Sequence, residues 1–395
     1  MNDSGKSLPV TLQEKLVICL ILLFALISCL PYFFRGFNYD ELFMLNHYIR
    51  QPNLFDALFK NYWLTNHIGY TALAYVNCRL FGISEWTMRL PSLFFGFGSI
   101  VLLWYWARRH FGRTVALLAA FLLALSPALI IWESIARGYS AMVFFTLLSS
   151  VIYFKLLRSF SWKLLAVFVL TNIVGISFHL FFLAVICMQA GHIVWMGAVQ
   201  RKRVGAIAGA IALTFFLPAM CFLPLMGKAI FHLKGTNSSY VFSLNFPQTT
   251  FSELLCTAWF PLGVVAVLLM FLGLILGRPE GLVSWQVYGV LAILSFLSIW
   301  LIQLPFLVTR FFAYLLPFIF LFISTGTVAC VQFFSGHFKW GVKIFLCVIL
   351  LFFIWTGRTQ PGILVNEELD EFKEAARFAQ TTFPNGRFCS FGQDE

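Results

Sequence analysis

Asp40 and Glu41 are adjacent carboxylates in a chain with only 16 acidic residues among 395. A carboxylate held at a boundary between water and lipid can take a proton from an acceptor hydroxyl or amine. The same two residues also suit a helix N-terminus, where Asp caps free N–H groups and negative charge meets the positive end of the dipole. Spacing alone leaves both roles open. Asn66 and His67 are a second candidate pair, because an imidazole can contact an anionic or hydroxylated group, although a lone His is more often an ordinary surface residue. Glu133 and Arg137 stand four residues apart, which on a helix places them on one face and allows an ion pair. The sharper alternative is that Arg137 meets a phosphate, whose oxygens match the guanidinium fork. Arg310 is a second cation of that kind, and His179 is a third candidate that could equally cap a turn.

The elements that must position these residues are set by composition. The chain is 60% hydrophobic and 11% charged, with a mean hydropathy of +0.86. No soluble domain of this size could cover that balance with polar surface, so the chain is expected to dissolve in lipid. The fold class expected is all-α and polytopic. Apolar stretches long enough to cross about 30 Å of hydrocarbon lie at 16–34, 90–107, 115–131, 140–157, 164–178, 180–197, 204–225, 254–276, 285–305, 311–333 and 341–355, about eleven transmembrane helices. The first is longer than a signal-peptide core and lacks a small-residue cleavage site, so it reads as a retained span.

Several classes are excluded. The net charge of +11 comes from short basic clusters between apolar runs, not from a stripe on a soluble face, so no nucleic-acid partner is expected. Most of the nine cysteines lie inside apolar runs and form neither a disulfide framework nor a zinc spacing. There is no phosphate-cradling Gly-rich loop and no nucleophile elbow. A divalent cation, Mg²⁺ or Mn²⁺, could bind a pair of acidic residues, but hard cations want more oxygen ligands than the sequence offers, and no metal site is assigned. The sequon Asn237-Ser238-Ser239 is assigned nothing.

Orientation follows from the basic loops Arg108/Arg109/Arg113, Lys155/Arg158/Lys163, Arg201/Lys202/Arg203 and Lys339/Lys343, which alternate with loops poor in Lys and Arg. Placing the basic loops inside puts the N-terminus in the cytoplasm and the C-terminus outside. The long loop 36–89 is then external and is where function is expected. Apolar residues recur at helical spacing over 41–50 and 54–63, and 68–81 is apolar but too short to span, so these stretches suit helices lying in the interface. The domain division expected is a transmembrane unit, 1–355, and a short soluble outer segment, 356–395.

Four segments resemble the GT-C superfamily of polyprenyl-phosphate-dependent glycosyltransferases, especially bacterial relatives of protein O-mannosyltransferase and aminoarabinose transferase. Asn38-Tyr39-Asp40-Glu41 is similar to the Asp-Glu pair of the first outer loop, and Thr65-Asn66-His67 to the His segment that opens a later interfacial helix. The run from Leu80 to Ser92 resembles the family's approach to the second span through Arg-Leu-Pro-Ser. Ala136-Arg137-Gly138-Tyr139 resembles its Ala-Arg-x-Tyr segment, and the run Arg310 to Pro317 is similar to a later Arg-aromatic segment ending in Leu-Pro, with Phe311 where Tyr is usual.

The resemblance implies a membrane glycosyltransferase that takes a sugar from a polyprenyl-phosphate donor at the outer face of a bacterial plasma membrane, with inversion at the anomeric carbon. Asp40 would be the base. Glu41, Asn66 and His67 would position donor or acceptor; Arg137 and Arg310, with Tyr139 and His179 beside them, would hold the donor phosphate. The partners implied are that lipid donor, membrane lipid and an acceptor of unspecified class, whether lipid, glycan or protein. Two other readings stay open at this point: a flippase for a lipid-linked saccharide, which would use the same cations, and a membrane scaffold in which Asp40 and Arg137 are structural.

Overall fold

The computed structural model describes residues 9–60, 66–199, 205–214, 216, 254, 260–277, 279, 284–302 and 309–335. The expected span 341–355, the soluble segment 356–395, the sequon, Thr65 and the basic residues Arg201, Lys202, Arg203, Lys339 and Lys343 lie outside them. All regular structure among the described residues is helical, which is what lipid demands: a chain without water must satisfy its backbone N–H and C=O groups within each segment.

α1 (Leu12–Phe33) opens on a capping box, in which Thr11 accepts from the Glu14 N–H and the Glu14 side chain accepts from the Thr11 N–H. Its Leu12, Leu20, Leu23 and Ile27 side chains are exposed, an outward apolar face that suits acyl chains and not water. Glu14 also accepts from Arg108 Nε at 2.7 Å, tying the start of α1 to the end of α5 (Glu85–Phe111). α5 carries Glu85 in its first turn and Arg108, Arg109 and His110 in its last, so both ends complement the helix dipole.

Between α1 and α5 the long loop folds into α2 (Tyr39–Met44), α3 (Leu54–Phe59) and α4 (Ile68–Phe81). α4 has the bounds expected from its apolar spacing. The first stretch is shorter as an α-helix than expected, because after Met44 the chain widens into a π-helical turn, Leu45–Ile49, where the Arg50 N–H reaches the Leu45 carbonyl at 3.1 Å. Such widened turns concentrate near functional sites. The second stretch ends as an α-helix at Phe59, and 61–65 lie outside the described residues.

The third expected span is broken. α6 (Arg113–Leu125) and α7 (Pro127–Glu133) meet at an angle of 62°, because Ser126 caps α7 and Pro127 supplies its first turn without an N–H. α8 (Tyr139–Arg158), α9 (Trp162–Phe178) and α10 (Leu183–Val199) follow, then an apolar helix Gly205–Thr214, α11 (Phe260–Leu276), α12 (Trp285–Ile302) and α13 (Leu316–Ser335).

Among the described residues, five helices, or six with the bent pair as one span, are long and apolar enough to cross a membrane, and four shorter apolar helices accompany them. The chain is a multi-pass membrane protein. One interior polar cluster is paired across helices: Gln189 donates to Ser149 at 2.7 Å and Ser149 to Asn172 at 2.5 Å, clasping α8, α9 and α10. α11 and α13 cross closely at Gly326, where any Cβ would collide with the Leu269 carbonyl; small residues at such a crossing let backbones approach without a hydrophobic drive.

Candidate active site

Asn38 is the N-cap of α2: its side chain accepts from the Glu41 N–H at 2.8 Å and its N–H donates to Glu41 at 2.9 Å. The cap is therefore Asn38 and not Asp40, which corrects the structural alternative considered for Asp40. Asp40 sits two residues further on, in the first turn of the helix, where its charge is favoured by the dipole.

Glu41 points the other way. It is fully buried and accepts from Arg89 Nε at 2.8 Å, from Arg89 Nη2 at 2.6 Å and from the Ala136 N–H at 2.7 Å. Arg89 spends its other N–H groups on the carbonyls of Phe33, Arg35 and Gly36, at 2.7, 2.7 and 2.9 Å, the segment that links α1 to α2. A buried charge pair needs this kind of additional hydrogen bonding to offset its desolvation. Glu41 is thus the hinge pin between two chain segments. On one side its neighbour is Asp40, and on the other the neighbour of Ala136 is Arg137.

The consequence is the approach of Arg137 to Asp40. Arg137 Nη2 lies 3.2 Å from Asp40 Oδ1 and donates to the Asp40 carbonyl at 3.1 Å. Arg310, from a 3-10 helix, Thr309–Leu315, that leads into α13, places Nη1 3.2 Å from Asp40 Oδ2. Each oxygen of one carboxylate thus faces a different guanidinium. The Arg137 side chain is buried, whereas that of Asp40 is 28% exposed and that of Arg310 44%, so the cluster opens on one side.

The Glu133–Arg137 ion pair, one of the two readings of that spacing, does not form. α7 stops at Glu133, and 134–138 are non-helical, so the four-residue spacing no longer defines a shared face. Glu133 is buried against Gly96 with neither carboxyl oxygen hydrogen-bonded among the described residues. The turn that carries Arg137 is held instead by Ser92, which donates to the Ile135 carbonyl at 2.6 Å.

A second wall is built from imidazoles and a phenol. His67 Nδ1 lies 2.7 Å from the Phe178 carbonyl; a carbonyl only accepts, so Nδ1 carries the proton and Nε2 is an acceptor. Burial, with the Arg137 guanidinium nearby, lowers the His67 pKa from 6.5 to about 3, and the ring is neutral. His179 caps the turn Leu180–Phe182 by accepting the Phe181 N–H at 3.2 Å on Nδ1. Its proton then sits on Nε2, a buried donor with no partner among the described residues. Burial holds its pKa well below the usual range. The His67 and His179 rings are 4.7 Å apart, Tyr139 lies 5.7 and 5.1 Å from them, and Arg310 stands 5.6 Å over the Tyr139 ring.

Six of the residues singled out by sequence therefore converge: Asp40, His67, Arg137, Tyr139, His179 and Arg310. Glu41 and Asn66 do not face the opening. Asn66 accepts from Thr71 at 2.7 Å and donates to the Leu58 carbonyl at 3.2 Å, which fixes the start of α4 and hence His67. Arg89 had no role assigned from sequence, and the signal for one was an arginine five residues into a helix of membrane-spanning length. Chemically the cluster joins a carboxylate that can accept a proton, two cations matched to an oxyanion, a neutral imidazole acceptor and a spare imidazole donor. No group of three or more potential metal ligands occurs among the described residues.

The model of the family described as dolichyl-phosphate-mannose-protein mannosyltransferase matches residues 68–222, a stretch that holds Arg137, Tyr139 and His179. The Bacillus subtilis (strain 168) protein YkcB, whose name places it with the mannosyltransferases, is 27% identical over 143 residues, 35% of this chain and 19% of YkcB. Among solved structures, ArnT from Cupriavidus metallidurans in the apo state superposes with a TM-score of 0.53 at 12% identity, over 79% of this chain and 59% of ArnT. The same protein bound to undecaprenyl phosphate gives a TM-score of 0.53 at 15% identity, over 79% and 60%. The chain thus spans about a fifth of YkcB and three fifths of ArnT. It shares the fold of ArnT, and the family match covers the early spans of the resemblance read from the sequence.

Proposed function

We propose that the chain is an inverting membrane glycosyltransferase that moves a sugar from a polyprenyl-phosphate carrier to an acceptor. The observation that carries this reading is the single carboxylate of Asp40 bracketed by Arg137 and Arg310 at 3.2 Å each, brought together from three separate segments of a GT-C fold. The matched mannosyltransferase family and the undecaprenyl phosphate named in the ArnT complex support the donor class.

In this mechanism Asp40 accepts the proton of an acceptor hydroxyl or amine as that atom bonds to the anomeric carbon. The carbon–oxygen bond to the phosphate breaks with its electron pair going to the phosphate oxygen, which leaves as polyprenyl phosphate. Arg137 and Arg310 stabilise the charge that grows there, the role in which preplaced cations contribute most. His179 Nε2–H and Tyr139 lie where they can donate to phosphate or sugar, and neutral His67 Nε2 can accept a sugar hydroxyl. Glu41 and Asn66 act by positioning Asp40 and His67.

We place the site on the outer side of a bacterial plasma membrane. The basic residues Arg108, Arg109 and Arg113 gather at the opposite end of the bundle, which the positive-inside rule assigns to the cytoplasm; the N-terminus is then inside and the C-terminus outside. Residues 1–355 form the transmembrane unit in this reading, with 36–89 as the site-bearing loop and 356–395 as a short outer segment.

The test is reconstitution of the purified chain in vesicles with a radiolabelled polyprenyl-phosphate sugar. Release of polyprenyl phosphate together with labelled product supports transfer. Movement of the intact lipid across the bilayer with no cleavage would replace the enzyme with a flippase.

A further inference from the structure

The donor set that suits a phosphate is occupied by an anion of the chain itself. Asp40 Oδ1 faces Arg137 and Oδ2 faces Arg310, both at 3.2 Å, and Arg137 Nη2 also donates to the Asp40 carbonyl at 3.1 Å. A carboxylate whose two oxygens are each ion-paired with a guanidinium has lone pairs turned toward those cations. A base needs one of them turned toward the acceptor's proton.

The same competition is visible from the cations. Arg137 is buried, with 4% of its side chain exposed, so an incoming anion can approach it only from the open side, where the Asp40 carboxylate lies. Arg310 is 44% exposed and hangs from a short 3-10 turn, so it can swing with a ligand. The Asp40 carboxylate, 28% exposed, is the part of the cluster with room to move. Its backbone is fixed by the Asn38 cap and by Glu41, through Arg89 and the Ala136 N–H. Rotation of one side chain therefore exchanges the partners without disturbing the frame.

We propose that Asp40 is an internal stand-in for the donor phosphate: a lipid phosphate arriving between Arg137 and Arg310 takes over the two guanidinium groups, and only then are the Asp40 oxygens released to serve the acceptor. The chemistry is exchange of one oxyanion for another on a common pair of forked donors. The His179 Nε2–H, which has no partner among the described residues, lies beside Tyr139 and supplies the phosphate with a donor that Asp40 does not use. The arrangement rests on the proposed glycosyltransferase reading and adds to it an order of events, donor first and base second. An acceptor, or water in its place, then meets an active base only when a donor is loaded.

A chain anion that competes with the ligand weakens binding by the free energy of the pairing it must give up. Removing the charge of Asp40 should therefore tighten phosphate binding while it destroys transfer, the opposite of what loss of an ordinary ligand residue does. Undecaprenyl phosphate is the probe, titrated into the full chain in nanodiscs of phosphatidylcholine, for the wild type, Asp40→Asn and Asp40→Ala, with thermal unfolding recorded for each and transfer assayed in parallel. The expected result is an affinity about five- to a hundredfold higher in whichever of the two variants is folded, the range of ordinary site couplings, with transfer lost. Unchanged or weaker affinity with transfer lost overturns the exchange and leaves the glycosyltransferase reading standing, because phosphate would then join the cluster without displacing Asp40. Full transfer in Asp40→Asn overturns both.

Discussion

Arg89 grips Glu41 with two N–H groups, at 2.8 and 2.6 Å, and neither side chain reaches solvent. Of the two adjacent carboxylates of the first loop, one is therefore consumed in architecture and the other faces the opening. Removing one partner of a buried, hydrogen-bonded pair costs about 3–5 kcal/mol, because the other charge is left stranded. Glu41→Gln is expected to lower thermal stability by that order and to lose activity along with the fold, whereas Asp40→Asn leaves the melting temperature within a few degrees of wild type. Thermal unfolding of both variants in detergent distinguishes them; equal destabilisation would contradict the division of roles.

Gly138 sits where a Cβ would collide with the Phe178 carbonyl and press on His67. Its φ of −76° is open to any residue, so the constraint is close approach and not backbone strain. Gly138→Ala should push the Arg137 turn away from the His67 wall, costing about 1–3 kcal/mol as overpacking does. A misplacement of that size costs about a hundredfold in rate. Single-turnover transfer rates at saturating donor check it, and an unimpaired variant would show that the turn can relax at no cost.

Arg137 reaches both the carboxylate and the carbonyl of Asp40, a reach that a Lys point charge cannot reproduce. Arg137→Lys is expected to lose about a hundred- to a thousandfold in transfer rate, the usual effect of removing one preorganised charge-stabilising donor. Arg310→Lys, at a more exposed position, should lose less and chiefly through a raised KM for the donor. Steady-state kinetics of the two variants test the order.

The neutral state of His67 has a signature in stability. Its folded pKa of about 3 lies below the ordinary 6.5, so between those values the unfolded chain binds a proton that the folded chain does not. Stability therefore falls as pH drops from 6.5 toward 3 and is flat above 6.5 with respect to this group. His179, held low by the same burial, acts in the same direction. His67→Gln should reduce the loss of melting temperature between pH 7 and pH 5, and a slope identical to wild type would refute the assignment.

Much of this site could be read from the chain because residues at the same ends of apolar spans must meet at one face of the bundle. That is why Asp40, Arg137, His179 and Arg310, distant in sequence, were all candidates and all converge. The bounds of α4, Ile68–Phe81, were legible from apolar spacing that ends at a Gly with φ of 83°. What spacing could not reveal were partners fixed by tertiary contact. The Arg89–Glu41 bond spans 48 positions and the Ala136–Glu41 bond 95, and no local pattern encodes either. The ion-pair reading of Glu133 and Arg137 falls for a related reason: a four-residue spacing is a shared face only while the helix continues, and α7 ends at Glu133. The bend at Ser126-Pro127 had a local signature, a capping Ser followed by Pro, that the apolar run around it concealed.

The most direct test of the account is the transfer activity of Asp40→Asn in reconstituted vesicles supplied with a polyprenyl-phosphate sugar and its acceptor. The account predicts that cleavage of the donor falls to the background of empty vesicles while the variant stays folded. Transfer at the wild-type rate by a folded Asp40→Asn protein would contradict it.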